Sequence, residues 1–332
     1  MKRKFRFIIP ALLCSVSLSG CSIISIVDKD DETKETETVV VDKFYKDYNL
    51  TKTGGRLIQE LQKLCFDKHT VWIRYGQMST YGSKTSDHNS TDAISDGSDK
   101  NQYFYTGKEA SGYGTREHVW PCANSAGLWT HDNPGTGNFS AHYVDNNYYV
   151  GGGSDLFHVR PSTSSVNTAR GNSRFCDFDD PEYSGYTVGE DGIVEITEKG
   201  GKYPLLVYGA DKTAAGGYQY ANRAEPADQM KGDVARIILY VFVHYQERGN
   251  TPDGYVTSGG NKFYYSDMTG SLSLHAIMGY DDDERCSEVL KAWNKLDPPS
   301  EVEKLRNQTV QKIQGNRNPF VDHPELVDQM FE

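Results

Sequence analysis

Residues 155–172 read DLFHVRPSTSSVNTARGN, which predicts a short strand followed at once by a short helix. The opening letters, DLFHV, have the aliphatic and aromatic content of a strand. The motif PST at 161–163 is a helix-start signal, and Gly171 with Asn172 is a helix-end signal. The pattern therefore predicts a strand-and-helix unit whose helix covers residues 164–170.

A second candidate strand lies upstream, in residues 115–121, which read TREHVWP. Glu117 and His118 stand side by side near its end. Adjacent residues in a regular strand point to opposite faces, so these two side chains can share one site only at a strand end, a bulge or a strong twist. Glycines upstream and Pro121 downstream favour such an irregularity. On residue types alone, the stronger interpretation is an exposed glutamate beside a partly buried histidine.

Asn167, inside the predicted helix, adds a third polar side chain. A strand pair backed by a helix can bring Glu117, His118 and Asn167 around one divalent cation. Mg²⁺ prefers oxygen ligands and keeps several waters, so one carboxylate and one amide oxygen suffice when a substrate phosphate completes its shell. The His118 imidazole, with an ordinary pKa of about 6.5, could then take a proton from the attacking water.

Short motifs follow one another along the chain from about residue 103 to residue 323. They are REHVWP at 116–121, DLFHVRP at 155–161, VNTARGN at 166–172, EP at 225–226, KGDVAR at 231–236, AWN at 292–294 and QGNRNPFV at 314–321. In this order they resemble the bacterial endonuclease I family, which comprises secreted or periplasmic non-specific nucleases with a ββα-metal (His-Me) finger. The resemblance implies an α+β fold in which that finger is embedded in a mostly helical single domain with long loops.

The resemblance also implies an activity and assigns roles by position. His118 corresponds to the general base, Glu117 to the metal-binding carboxylate and Asn167 to the second metal ligand. The implied cofactor is one divalent cation, Mg²⁺, with Ca²⁺ or Mn²⁺ as alternatives. The implied reaction is hydrolysis of DNA, and also of RNA, without sequence specificity, to 5′-phosphate and 3′-hydroxyl ends.

The chain departs from the family pattern near the site. Thr115 stands where members commonly carry Asn, and Phe157 where many carry His. Some members hold the scissile phosphate with a loop Arg, but residues 119–157 contain neither Arg nor Lys. The residues predicted to hold phosphate or to support the site are Arg116, His158, Arg160, Arg170 and Asn172, and Arg174, His131 and His142 are further alternatives for the phosphate.

The alternative function is a catalytically inactive surface lipoprotein that keeps the nuclease fold as a binding module. Intact Glu117, His118 and Asn167 argue against it, whereas the missing loop cation favours it. A metallopeptidase is disfavoured because the chain has no H-E-x-x-H motif.

The N-terminal letters MKRKFRFIIPALLCSVSLSGC predict a signal peptide over residues 1–20, because a basic start precedes a short apolar run. The letters LSGC resemble a bacterial lipobox, so Cys21 is expected to carry a lipid; an ordinary secreted protein with Cys21 in a disulfide is the alternative. Residues 21–43 include a highly charged core and predict a flexible tether. Residues 44–332 are predicted to form one monomeric domain, exported and lipid-anchored to the cell envelope, facing the periplasm or the exterior.

The net charge of −11 argues against a protein that coats nucleic acid by bulk electrostatics. Apart from Cys14 in the signal peptide and Cys21, the chain has Cys65, Cys122, Cys176 and Cys286, which permit two disulfides in an exported protein.

Apolar periodicity predicts helices over residues 55–66 and 226–245, the second being apolar on nearly every side and therefore central. Ser287 is a possible N-cap for a further helix, and Ser300 opens a capping box for another. The acidic run at 281–284 is predicted to be a solvated loop, with calcium binding as the alternative.

Strand-like composition occurs at residues 103–105, 117–120, 192–197 and 203–208. Residues 121–153, rich in Asn, Gly, Asp and Ser, predict one long irregular loop. A loop of that length inside a compact domain is usually functional.

Overall fold

The computed structural model describes residues 43–86, 88–124, 150–183, 185–186, 192–209, 211–212, 218–219, 222–247, 253–258 and 260–332. The predicted signal peptide, the lipidated Cys21, nearly all of the tether, and His131 and His142 of the long loop lie outside these residues. Tyr45–Glu332 forms one compact unit. Within the described ranges, none of the helices has the length and apolar character required to cross a membrane.

The helices of this unit are distributed along its whole length. They are Gly54–Lys68 (α1), Met78–Tyr81 (α2), Ser164–Arg170 (α3), Asp228–Tyr245 (α4), Tyr265–Met268 (α5), Asp283–Leu296 (α6), Glu301–Gln314 (α7), Pro319–Asp322 (α8) and Leu326–Gln329 (α9).

The strands are short. They are Lys100–Tyr103 (β1), Lys108–Ser111 (β2), Thr115–His118 (β3), Val159–Ser162 (β4), Arg174–Phe175 (β5), Ile193–Ile196 (β6), Leu205–Tyr208 (β7), Asp211–Lys212 (β8), Tyr218–Gln219 (β9), Arg223–Pro226 (β10), Tyr255–Ser258 (β11) and Asn261–Tyr264 (β12). One four-stranded sheet has the order β5-β10-β7-β6, and the remaining strands form two-stranded pairs.

The strands β3 and β4 and the helix α3 form the ββα unit. The two strands are antiparallel, with Glu117 opposite Arg160 and His118 opposite Val159. The helix begins where the sequence predicts, because the Thr163 side chain accepts a hydrogen bond from the amide of Val166. Together with the surrounding helices, this unit confirms the predicted α+β fold.

The core is built around α4. Its apolar residues are buried on all sides, and α6 and α1 pack against it. Trp293 of α6 and Trp120 beyond β3 are both buried. The prediction of a central buried helix is confirmed, although it begins at Asp228, because Pro226 still pairs in β10.

The strand predicted at 155–159 is wrong in its position. The segment up to His158 is a turn, and β4 begins only at Val159. The Asp155 carboxylate accepts a hydrogen bond from the Phe157 amide at 2.7 Å, and the Leu156 amide donates to the Gln314 side chain at 2.7 Å. These side-chain acceptors replace the strand partners that the two amides would otherwise need.

The acidic run at 281–284 is exposed as predicted, but only its first two residues precede the helix. The helix α6 begins at Asp283, and the Asp282 side chain caps it by accepting from the Arg285 amide at 2.7 Å. Ser287 lies inside the helix, where its hydroxyl donates to the Glu284 carbonyl. Acidic side chains at this end are favourable because they face the positive end of the helix dipole. By contrast, Ser300 caps α7 as predicted.

None of the four cysteines of the described unit takes part in a disulfide. Cys65, Cys176 and Cys286 are buried, and Cys122 is half-buried. Neither of the two disulfides that the sequence permits is formed.

Candidate active site

Strand β3 places alternate side chains on its two faces, as a regular strand does. On one face, the Arg116 guanidinium carbon lies 4.3 Å from the centre of the Tyr75 ring, and the His118 ring stacks on the same tyrosine at 5.8 Å between centroids. Glu117 is buried on the other face. The strand ends at His118, so a ligand that contacts both faces has to lie at this end.

The carboxylate of Glu117 is 1% exposed and has two partners. The Tyr105 hydroxyl donates to Oε1 at 2.7 Å, and Nη1 of Arg170 lies 3.4 Å from the same oxygen. Burial raises the pKa of Glu117 to about 7, although Arg170 and Tyr105 both act to lower it. The carboxyl group is therefore close to the midpoint of its titration at neutral pH.

Asn167 extends from α3 to β3. Its Nδ2 donates to the Arg116 carbonyl at 3.1 Å and contacts the Thr115 hydroxyl at 3.3 Å. Thr115 and Glu117 lie two residues apart and therefore share one face of the strand. The fold thus brings Asn167 to the face that carries Glu117, with the Oδ1 atom directed away from these two contacts.

His118 is oriented by a backbone carbonyl. Its Nε2 lies 2.9 Å from the Gly153 oxygen, and a proton on Nε2 makes this contact a hydrogen bond and leaves the lone pair on Nδ1. Burial, followed by the neighbouring His158, lowers the pKa of His118 to about 3, against the effect of the Gly153 carbonyl. The ring is therefore neutral at physiological pH, which is the form a general base requires.

His158 lies behind His118 and is completely buried. Its Nε2 accepts from the Trp120 amide at 2.9 Å, and its Nδ1 donates to the Gly152 carbonyl at 2.6 Å. The two histidine rings are 5.6 Å apart between centroids. Because both of its nitrogens bind the backbone, His158 is placed to support the site rather than to bind a ligand.

Two of the arginines considered for phosphate binding are buried. Arg160 is 2% exposed and donates from Nε to Asp92 at 2.8 Å, whereas Arg170 is 1% exposed. Arg170 donates to the carbonyls of His118 and Val119 at the end of β3. The buried Arg170 guanidinium therefore ties α3 to the end of β3, and the buried Arg160 guanidinium ties β4 to Asp92.

Arg174 and Asn172 are the exposed members of the predicted set. Asn172 follows α3 directly, and its carbonyl accepts from Asn124 at 2.9 Å. Arg174, two residues later, has no ion-pair partner within the described ranges. Arg116 is less available, because its Nη1 donates to the Tyr75 carbonyl at 3.0 Å.

Sequence reasoning missed the neighbours that orient the predicted site residues. Tyr105 holds Glu117, Tyr75 supports His118, and the carbonyls of Gly152 and Gly153 orient the two histidines. The sequence signal for the last pair is the run GGGS at 151–154, because glycine allows the backbone to approach a side chain closely.

Comparisons with known proteins relate the chain to nucleases. A family profile described as Endonuclease I matches residues 53–325. An extracellular ribonuclease of Bacillus amyloliquefaciens is 34% identical over 217 residues, which cover 65% of this chain and 53% of that protein. An extracellular ribonuclease of Bacillus subtilis (strain 168) is 32% identical over 220 residues, with the same coverage of 65% and 53%. The chain spans about half the length of these curated relatives.

Proposed function

The chain belongs to the endonuclease I family, and from this premise we propose that it is a metal-dependent nuclease that hydrolyses phosphodiester bonds without sequence specificity. The observation that carries the proposal is the ββα unit, in which Glu117 and Asn167 share one face of β3 and His118 ends the strand. A substrate that binds at the strand end meets all three.

The donor chemistry of the site fits a hard divalent cation. Glu117 offers a carboxylate and Asn167 an amide oxygen, and oxygen ligands of this kind suit Mg²⁺, with Ca²⁺ or Mn²⁺ as alternatives. Both described contacts of the Glu117 carboxylate fall on Oε1. When bound, such a cation neutralises charge on the phosphate and on the leaving oxygen.

The protein's own residues supply the proton transfer. With the Nε2 proton donated to the Gly153 carbonyl, Nδ1 is the His118 nitrogen that can accept a proton from the attacking water. His118 takes the proton as the water oxygen bonds to phosphorus and the bond to the 3′-oxygen breaks. The leaving 3′-oxygen takes a proton from solvent, so the products are a 5′-phosphate and a 3′-hydroxyl. Arg170 and His158 keep the end of the strand in position during this step.

Arg174 is the proposed phosphate-binding cation. It is exposed, it lies just beyond α3, and its charge is not neutralised by an ion pair in the described part of the chain. Contacts to phosphate alone carry no sequence information, so cleavage that relies on them is non-specific.

Both DNA and RNA are proposed as substrates. The two curated relatives are named extracellular ribonucleases, which supports RNA in particular. We place the enzyme outside the cytoplasm as a monomer anchored through a lipid on Cys21, as the N-terminal sequence predicts.

The test is cleavage of plasmid DNA and of a single-stranded RNA with Mg²⁺, with EDTA, and by the variant His118→Ala. Loss of the general base is expected to lower kcat by about 10²- to 10⁴-fold. The variant His275→Ala is the matched control, since His275 is an exposed histidine that pairs with Asp283. A parent protein that binds but does not cleave either substrate in the presence of metal would favour the alternative, an inactive binding module.

A further inference from the structure

A second cluster of metal-ligand residue types lies in the core, and none of the proposed catalytic steps uses it. His69 follows α1, Asp155 lies in the turn before β4, and His244 belongs to the last turn of α4. All three are buried, and one ligand atom from each lies within 4.8 Å of the other two. Three segments that are remote in sequence therefore converge on one point.

The two imidazoles have nitrogen atoms without partners. Neither nitrogen of His69 makes a hydrogen bond, and the same holds for Nε2 of His244, although all three atoms are inaccessible to solvent. Nδ1 of His244 lies 2.8 Å from the Tyr240 hydroxyl. Buried polar atoms are almost always paired in folded proteins, so these nitrogens indicate a missing partner.

The carboxylate between them is a buried charge without a cationic partner other than the histidines. In the part of the chain that the structure describes, Asp155 forms no ion pair with Lys or Arg. It is held by the hydroxyls of Tyr240 and Tyr245, at 2.6 Å each, and by the Gln314 side chain at 3.1 Å. Buried charges in proteins are paired or coordinate metals, and ligating carboxylates are themselves hydrogen-bonded in this way.

The spacing is that of ligands rather than of hydrogen-bonded groups. Oδ2 of Asp155 lies 4.0 Å from Nδ1 of His69 and 3.7 Å from Nδ1 of His244. These distances are too long for hydrogen bonds. Because Nδ1 of His244 contacts the Tyr240 hydroxyl, His244 would bind the ion through Nε2, the nitrogen without a partner. Two ligands at tetrahedral positions around a Zn²⁺ ion are about 3.4 Å apart, because each bond is about 2.0 to 2.1 Å long. Small movements of the side chains would close the site on an ion.

We infer that His69, Asp155 and His244 bind one divalent transition-metal ion, for which Zn²⁺ is the natural occupant. Two imidazoles and one carboxylate form a donor set typical of zinc and other first-row metals, whereas Mg²⁺ and Ca²⁺ prefer oxygen alone. The site therefore differs in chemistry from the one at Glu117 and Asn167.

A pocket adjoins the His69 side of the cluster. A pocket of about 460 Å³ is lined by His69, Thr70, Trp72 and the carboxylate-bearing Asp67. The His69 ring stacks on Trp72 at 3.8 Å between centroids, which fixes its orientation at the inner end.

The ion would stabilise the turn that orients the general base. Asp155 ends the same short turn in which Gly153 accepts from His118 and Gly152 accepts from His158. Metal bound at Asp155 therefore ties this turn to α1 and α4. The effect on catalysis depends on the proposed nuclease function, whereas binding of the metal does not.

To test this inference, the full chain is incubated with ZnSO₄ and passed through gel filtration. Its zinc content is then measured by inductively coupled plasma mass spectrometry. About one zinc per chain is expected in the parent protein, and loss of that zinc is expected in His244→Asn and His69→Asn. His275→Asn, which removes an exposed histidine paired with an aspartate, is the matched control and should retain the ion. Co²⁺ in place of Zn²⁺ should give visible d–d absorption, a readout that needs no variant.

The variant Glu117→Gln separates the two sites. It is expected to lose Mg²⁺-dependent cleavage and still to bind zinc, and EDTA should still lower its melting temperature. A parent protein with no bound zinc, no cobalt spectrum and no change in melting temperature with EDTA would overturn the inference, and the proposed nuclease function would be unaffected. Zinc retained in both His69→Asn and His244→Asn would likewise overturn it.

Discussion

At the scale of single residues, β3 separates Glu117 from His118 by directing them to opposite faces. Glu117 meets Tyr105 and Arg170 on the buried face, and His118 meets Gly153 on the other. The environment of each side chain suits a different role. A bound cation stabilises the ionised form of a buried carboxylate, and a backbone carbonyl fixes the tautomer of a neutral imidazole.

The exposed cation next to α3 allows a prediction about substrate binding. Arg174→Ala is expected to raise KM. It is also expected to reduce the slope of the logarithm of the binding constant against the logarithm of salt concentration by about one, the contribution of one phosphate contact. The free energy of unfolding should change by less than about 0.5 kcal/mol, because the side chain is exposed and unpaired within the described residues. Measurements are steady-state cleavage at several salt concentrations and urea denaturation.

Arg56→Ala is the matched control for this prediction, since Arg56 is an exposed arginine on α1. Equal changes in KM for the two variants would mean that only net charge matters. That outcome would remove Arg174 from the proposed site.

At the scale of elements, the start of α6 shows how a side chain overrides composition. The run at 281–284 has the composition of a solvated loop, yet Asp282 satisfies the Arg285 amide that the first helical turn leaves unpaired. The helix therefore begins before Ser287, which the sequence alone suggested as its cap.

A pair of variants tests this start. Asp282→Ala is expected to lower the free energy of unfolding by about 1 kcal/mol, because it removes the N-cap and an acidic group at the helix start. Ser287→Ala should cost clearly less, since its hydroxyl bonds a carbonyl inside the helix. Thermal and urea denaturation of both variants measure the difference. A greater loss in Ser287→Ala would contradict the assignment of Asp282 as the cap.

At the scale of the whole molecule, a buried ion cluster joins distant parts of the chain. Asp92 accepts from Arg160 of β4 at 2.8 Å and from Arg306 of α7 at 3.0 Å. Burial acts to raise the pKa of Asp92, but Arg306 and Arg160 outweigh it and lower the pKa below its ordinary value of 3.8. The carboxylate therefore stays ionised well into the acid range.

This lowered pKa predicts the pH dependence of stability. A group whose folded pKa is depressed stabilises the fold above its unfolded pKa, and that contribution is lost as the pH falls from the unfolded value through the folded one. For Asp92 the loss begins near pH 3.8 and continues below it. Asp92→Asn is expected to cost about 3 to 5 kcal/mol at neutral pH, because it removes the carboxylate that pairs with buried Arg306 and leaves buried Arg160 with only Asp233, at 3.8 Å.

Urea denaturation between neutral pH and pH 3 measures both effects. The free energy of unfolding should fall less steeply with acid in Asp92→Asn than in the parent protein. Asp47→Asn is the control: its carboxyl is exposed, so its loss of stability in acid should equal that of the parent. If the free energy of unfolding of Asp92→Asn and of the parent protein changed equally with pH, the lowered pKa of Asp92 would be contradicted.

The thiols give a second prediction at this scale. Cys65, Cys122, Cys176 and Cys286 are expected to react with an alkylating agent to the same extent in the denatured protein with and without prior reduction, because none is in a disulfide. In the native protein, buried Cys65, Cys176 and Cys286 should react slowly and half-buried Cys122 faster. Mass spectrometry of peptides quantifies each site, and a bridged pair of these peptides would contradict the prediction.

The sequence by itself determined the family, the ββα unit apart from the position of its second strand, the helix α3 and the central helix α4. These features depend on local signals: ordered motifs, a helix cap and apolar periodicity. The family predicted from the motifs is confirmed by the profile match over residues 53–325.

Only the tertiary structure decided which polar side chains are accessible and which are held in the core. Arg160, Arg170 and Arg174 are equivalent candidates in the sequence, but burial ties the first two to Asp92 and to the backbone of β3. The reason is physical: the role of a charged side chain depends on partners that are remote in the chain, and local patterns carry no information about them.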